Sequence, residues 1–202
     1  MITGIIRHGK LIAVTIFVCV FASTVNSSPG GRGSFGLLLM AGGRYDDMRM
    51  CVASPAGVKG GPIADIMLTG NLGLNDKLGI VLNLPVMRPI LFGAAFKMLQ
   101  FEPELQIDVR TSISDRLLFI VAPSAGVSLH YGPDYQSELK NPTPSFFAAG
   151  PIVGCHFYIG MRDGAGNLKN AFGIKPFYAA LFADGRTTGT VVGGVLEYRR
   201  SF

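Results

Sequence analysis

The sequence is poor in charge, cysteine and histidine, and it holds no long unbroken apolar run. Charged residues make up 15% of the 202, where an ordinary soluble domain carries about a quarter. A membrane-spanning helix needs roughly 20 consecutive apolar residues. The best candidate beyond the N-terminus, IVLNLPVMRPILFGAAF (residues 80 to 96), is broken by Asn83, Pro85, Arg88 and Pro89. A bundle of membrane helices is therefore excluded. Three cysteines and three histidines, none at ligand spacing, give no metal site, and no cofactor is expected. The glycines of AGG (residues 41 to 43) and TGNLG (residues 70 to 74) fall in extended segments and form no phosphate loop.

What is present begins with a leader. Arg7 and Lys10 precede the apolar run LIAVTIFVCVFA (residues 11 to 22), and the small polar stretch STVNSS follows. This is the pattern of a cleaved secretory signal peptide over residues 1–28, leaving 29–202 as one domain. Cys19 lies inside the apolar run, where it reads as a bystander. Without Arg7 and Lys10, 16 Lys+Arg stand against 13 Asp+Glu, a net +3. That is too mild and too scattered for a nucleic-acid partner. Export permits a disulfide, but one pair is no framework, and Cys51 and Cys155 read as unpaired.

The chain beyond residue 28 has the period of strands. In LQFEPELQIDVR (residues 99 to 110) every odd position is apolar and every even position polar. Eight such segments can be drawn, near 35–45, 63–74, 78–86, 99–110, 116–131, 147–162, 172–183 and 187–202. Several apolar faces persist for as long as the ~9–11 residues a tilted strand needs to cross a bilayer, against ~5–6 for a common soluble strand. NDK and SISD are short connections, while 46–62, 87–98 and 132–145 are long. The form of 87–98 stays open at this stage. Alternation by itself fits a soluble lipocalin-like barrel as well as a membrane barrel. Segment length and loop pattern favour the second. Glu102, Glu104, Asp108, Arg110, Lys175, Glu197 and Arg199 are then expected to form a polar network inside a filled lumen. Phe101, Leu105 and Ile107 would face lipid. Pro103, Pro123, Pro151 and Pro176 fall on the apolar face of these strands and predict bulges or strand ends.

The last segment, TVVGGVLEYRRSF, places Leu196, Tyr198 and Phe202 on one face. With the leader and the strand meander, it resembles the small eight-stranded outer-membrane β-barrel proteins, the group of OmpX, OmpW and the OmpA transmembrane domain. The resemblance implies an up-and-down transmembrane β-barrel in the outer membrane of a double-membraned bacterium. It implies lipid and lipopolysaccharide around the barrel, and an assembly machinery that reads Leu196, Tyr198 and Phe202. Arg200 departs from the pattern, since an apolar residue is expected there. The implied function is structural or surface-binding, with ligands at the long loops, or small-solute passage, and not enzymatic.

One alternative keeps chemistry. Ser128 and His130 share a face near a long loop, as a lipid A or phospholipid hydrolase would need. No acid is evident behind His130, and the expected hairpin sets His130 and His156 about ten residues apart, ~33 Å at strand rise. The remaining alternative is a soluble exported lipocalin-like binder.

Overall fold

The computed structural model describes residues 32–47, 59–94, 98–132, 145–183 and 189–202. The expected leader, Cys51, most of the loops at 46–62 and 132–145, and the 184–186 turn lie outside the described residues. The strands are β1 (Arg32–Asp46), β2 (Gly61–Gly73), β3 (Leu78–Pro85), β4 (Leu99–Phe101), β5 (Glu104–Ser112), β6 (Leu117–Gly132), β7 (Phe146–Arg162), β8 (Leu168–Leu181) and β9 (Gly189–Ser201). Among the described residues one helix, α1 (Met87–Gly93), follows β3 and forms the first part of the 87–98 connection the sequence left open; residues 95–97 lie outside the described residues. Among the described residues no helix is long and apolar enough to cross a membrane.

Every pairing is antiparallel between chain neighbours, and β1 pairs with β9, so the sheet closes on itself. β4 and β5 are one strand broken at Glu102 and Pro103, both pairing with β6, which makes eight strands around the wall. The rows of partners fix the barrel's pitch. From Asn71 the row passes through Val81, Gln106, Ser124, Gly154, Phe177, Gly193 and Arg44, and returns to β2 at Gly61. The start and finish differ by 10 residues, the stagger of the barrel. Ten residues at ~3.3 Å against eight strands at ~4.8 Å gives a tilt of about 41°, inside the usual 35–45°.

The prolines correct one expectation. Pro123, Pro151 and Pro176 lie within continuous strands and expose their rings outward, and no bulge accompanies them. The β5–β6 ladder skips from Gln106↔Ser124 to Val109↔Val121, and β7–β8 from Gly154↔Phe177 to Phe157↔Ile174, each with its register unchanged. These are the places where Pro123 and Pro176 supply no N–H. Among the described residues the one register shift lies between Met161 and Arg162. Only Pro103 marks a break.

Both short turns named from the sequence are built by side chains. Asn75 Oδ1 accepts from Lys77 N and Leu78 N at 2.9 and 2.8 Å. Ser114 Oγ accepts from Leu117 N at 3.2 Å. At the third turn the amides of Asn167 and Ala165 bond Asp163, which holds its carboxyl below the usual range.

The faces alternate as the period requires, but inside out relative to a soluble protein. Leu105, Ile107 and Val109 are exposed, while Glu104, Gln106 and Asp108 are buried. Outward aromatics fall into two belts. Phe35, Phe119, Phe172, Tyr198 and Phe202 ring the short-turn end, and Tyr45, Tyr131, Phe147, Tyr178 and Phe182 the long-loop end. From Phe35 to Tyr45 is ~33 Å along β1, or ~25 Å along the axis at that tilt.

Closure depends on a close approach of β1 to β9. A Cβ at Gly42 would lie 2.1 Å from Gly194 O, whereas one at Gly43 meets nothing nearer than 3.9 Å. Gly42→Val is expected to lower the urea midpoint of refolded barrel sharply or abolish folding, and Gly43→Val to leave it nearly unchanged. The heat-dependent gel shift of folded barrel reads both.

Candidate functional site: the charged lumen

Inward positions of β5 carry Glu104, Gln106 and Asp108, and the break before it carries Glu102. A strand period of two puts all four in one column along the lumen wall. Groups from the opposite strands meet them at successive depths.

Nearest the short turns, Arg199 of β9 reaches across the barrel to Asp108. Its Nη1 and Nη2 donate to the two carboxylate oxygens at 3.2 and 2.8 Å, a two-pronged pair. Arg110 and Gln106 also donate to Asp108, at 3.1 and 2.5 Å, and Asn83 donates to Gln106 at 3.0 Å. The Arg199 guanidinium lies 5.0 Å from the Tyr158 ring centroid. Beside this layer Leu118, Ile120, Ala122, Tyr158 and Ala171 form a mostly apolar cluster, Ala171 being the ladder partner of Arg199.

In the middle layer Lys175 of β8 donates to Glu104, which also accepts from Ser124 at 2.7 Å. His156 bridges this pair to Glu197. Its Nδ1 is 2.7 Å from Glu197 and its Nε2 3.2 Å from Ser124 Oγ. The Tyr158 hydroxyl also lies 2.9 Å from His156 Nδ1, so the imidazole joins Glu197, Tyr158 and Ser124.

Towards the long loops Arg88 enters from α1, donating to Glu102 at 2.8 Å and lying 3.2 Å from Asp65. Ser128 donates to the other oxygen of Glu102 at 2.9 Å, and His130 Nε2 lies 3.1 Å from it. Arg44 and Asp46 pair at 2.6 Å nearer the rim.

All seven residues named from the sequence as a lumen network face inward, Arg110 least deeply. The structure joins Asp108, Arg110 and Arg199 in one group, and Glu104, Lys175 and Glu197 in another through His156. Glu102 stands apart with Arg88. Three features escaped the sequence. Arg88 lies on a connection, where no period marks it as inward. Glu102, at the break in the neighbouring strand one segment earlier, lies beside His130, but on the same ring nitrogen as Ser128 and not behind it. The lumen is also not polar throughout. Leu38, Met40, Ile63, Met67, Ile152, Phe177, Leu181 and Val191 fill its loop-side half along β1, β2 and β7–β9.

Ser128, His130 and Glu102 do not form a relay. Ser128 Oγ and Glu102 Oε1 both approach the same ring nitrogen, Nε2, at 3.0 and 3.1 Å, and Nδ1 has no partner among the described residues. A serine nucleophile needs its base on one ring nitrogen and the acid on the other. His130 and His156 pair with Ala148 and Ala122 in the β6–β7 ladder, so eight residues separate them along the wall, not ten. Cys155 is a free thiol, and no metal-binding group of residues occurs among the described residues.

Closed ladders, a polar lumen column and an apolar exterior define a small eight-stranded membrane-type β-barrel. Among solved structures it is similar to the Neisserial surface protein A, with 7% identity, 84% of this chain and 99% of that chain covered, and a TM-score of 0.47. It is also similar to the N-terminal β-barrel domain of Pseudomonas aeruginosa OprF, with 10% identity, coverage of 84% and 99%, and a TM-score of 0.40. A third is Ail, the attachment invasion locus protein of Yersinia pestis, with 12% identity, coverage of 87% and 100%, and a TM-score of 0.39. No family model and no curated protein matches the sequence.

The Arg199–Asp108 pair carries a test. Arg199→Ala leaves Asp108 with a buried charge and is expected to cost about 3–5 kcal/mol. The double variant Arg199→Ala/Asp108→Asn should recover at least half of that, measured by urea unfolding in detergent micelles.

Proposed function

We propose that this chain is an integral outer-membrane β-barrel whose work is structural and surface-binding, carried by its long-loop end. The observation that supports this most is the inverted distribution of polarity. Phe35, Leu39, Leu68, Leu105, Ile107, Phe172, Ile174, Leu196 and Phe202 are all more than a third exposed, while Asp65, Glu104, Asp108, Lys175, Glu197 and Arg199 are buried. A soluble lipocalin-like binder has the opposite arrangement, with an apolar interior and a wetted outside. Leaving such an apolar surface in water is unfavourable at ~25 cal/mol per Å², and a lipid bilayer removes that cost. The two aromatic belts, ~25 Å apart, match the height of the apolar band of outer-membrane barrels.

Passage along the axis is opposed by the cross-lumen pairs Arg199–Asp108 and Lys175–Glu104 and by the cluster of Leu118, Ile120 and Tyr158 beside them. The barrel therefore works as a wall and a platform and not as a diffusion pore. Outer-membrane lipid and lipopolysaccharide are its surroundings, and the loops at 46–62, 87–98 and 132–145 are where a ligand outside the cell would bind. Leu196, Tyr198 and Phe202 line the outer face of β9, open to an assembly machinery that inserts the barrel. Arg200 is also outward, its guanidinium 5.9 Å from the Phe202 ring centroid at the short-turn boundary, where an arginine can reach water.

The chain should remain with membranes after carbonate extraction, and release into the soluble fraction would overturn the proposal. Ile174→Arg, in the middle of the exposed band, should destabilise the folded barrel by roughly 2–4 kcal/mol. Ile113→Arg, in an exposed turn, should change it little. The hydrolase reading makes its own demand. Ser128→Ala and His130→Ala should leave the lipid A and phospholipid profile of cells carrying the protein unchanged, and a lost modification with either would restore the enzyme.

A further inference from the structure

Positive charge gathers on one side of the short-turn end. Arg116, Arg162, Lys169 and Arg200 stand at the ends of the neighbouring strands β6 to β9, and the acids there are Asp115 and Asp163, both in turns. Among the described residues none of the four bases makes an ion pair. Arg162 N donates to Arg116 O at 2.9 Å, which sets two like charges on adjacent strands. Asp163 acts on Lys169 through space, but its carboxylate already accepts the Ala165 and Asn167 amides. The opposite side of the rim has no such excess, since Asp76 adjoins Lys77 and Asp108 holds Arg110.

The β7–β8 register shift brings one of these bases to the outer wall. Met161 pairs with Asn170 and Arg162 with Leu168, so Lys169 is the extra residue of a bulge. Leu168 packs on the inward cluster and Ala171 is buried within it, three residues apart, where strict alternation allows two or four. The extra residue absorbs the difference, and Lys169 leaves the wall beside outward Asn170 instead of entering the lumen. Asn170 is the ladder partner of Arg200, so a cation and an amide stand directly opposite each other on the same face. The Tyr198 hydroxyl donates to Asn170 Oδ1 at 2.8 Å, which uses the amide oxygen and leaves its NH2 as a donor next to Arg200. The Arg200 guanidinium touches one ring, Phe202, at 5.9 Å.

An apolar track runs from these donors towards the middle of the band. The next outward pairs along β8 and β9 are Phe172↔Tyr198, Ile174↔Leu196 and Pro176↔Gly194. The Phe172 and Tyr198 rings stack with centroids 4.7 Å apart and make a flat pad just beneath the charges. Ile174 and Leu196 are well exposed, and a Cβ at Gly194 would meet nothing nearer than 3.9 Å, so the wall is shallow at the end of the track. From Asn170 to Pro176 is ~20 Å along the strand, or about 15 Å along the axis at the tilt of the wall. That is about the depth of one leaflet of a ~30 Å hydrocarbon core. Cationic donors at the boundary with an apolar track of one leaflet's depth below them match a headgroup and its chain.

We propose that the outer face of β8 and β9 at the short-turn end is a binding site for an anionic glycerophospholipid. Arg200, Lys169 and the Asn170 amide hold its phosphate, and one acyl chain lies along the track to Pro176 and Gly194. A headgroup that carries its own ammonium is disfavoured, because that cation would meet Lys169 and Arg200 with no free acid beside them. The inference rests on the membrane reading above, and the test separates the two. The sequence has no tryptophan, so a single introduced one reports alone. Ile174→Trp places it on the track, and Ile107→Trp on the outer face of β5, across the barrel. Each is refolded into vesicles that mix phosphatidylcholine brominated along its acyl chains with unbrominated phosphatidylglycerol. The relief of quenching as phosphatidylglycerol increases gives the relative affinity of the two lipids at each reporter. Ile174→Trp should show about a fivefold or greater preference for phosphatidylglycerol, and Ile107→Trp less than about 1.5-fold. Arg200→Gln and Lys169→Gln, each added to Ile174→Trp, should lower the preference at least twofold. Equal preference at the two reporters overturns the site, as does a preference that survives both substitutions with the gel shift intact. Inorganic phosphate at matched ionic strength should leave the preference standing; its removal would mean that a free phosphate is the ligand, and the lipid proposal falls. Absence of quenching at both reporters in brominated phosphatidylcholine alone overturns the membrane reading instead.

Discussion

The closing ladder between β1 and β9 is the constraint on which the rest depends. A strand in lipid has no water to satisfy its edge, so an eight-stranded sheet survives there only if its first and last strands find each other. Eleven partner pairs from Gly36↔Ser201 to Asp46↔Val191 do this. Once closed with a stagger of 10, the wall has a fixed tilt and radius, and the interior has room for side chains and little else. The crowded charges of the lumen follow from that geometry. Acids and bases brought so close must be paired, because a lone buried charge is costly.

The pairs also explain why polar residues are tolerated inside a barrel whose outside is greasy. Asp108 is held by Arg199, Arg110 and Gln106 together, so most of its lone pairs are used. Glu104 shares Lys175 and Ser124, and His156 extends that group to Glu197. Each carboxylate of β5 thus meets a partner from another part of the wall. None of these contacts is local in sequence beyond the Gln106–Asp108–Arg110 run.

The wall was the most legible part of the sequence. LQFEPELQIDVR states its two faces by period alone, and the structure turns Glu104, Gln106 and Asp108 inward and Leu105, Ile107 and Val109 outward. Pro103 also signalled truly, since the strand breaks there. Pro123, Pro151 and Pro176 misled, because a ladder can skip one donor without a bulge when the wall on the other side continues. Partners across the lumen were illegible, since they depend on stagger, and stagger is a property of all eight strands at once. Arg88 was hidden for a different reason. It lies in PVMRPILF between two prolines, where neither a strand period nor a helix period assigns a side.

The cross-lumen pairs have a mechanical meaning beyond charge balance. Arg199 and Asp108 stand on strands half a turn apart in the wall, and Lys175–Glu104, three strands apart, runs close to the same direction. They act as chords of a ring, resisting ovalisation along the diameter from β5 to β9. Among the described residues no ion pair crosses the perpendicular diameter, from β2 to β7, which is filled by the apolar loop-side cluster. The tube is therefore braced by charge in one direction and by packing in the other.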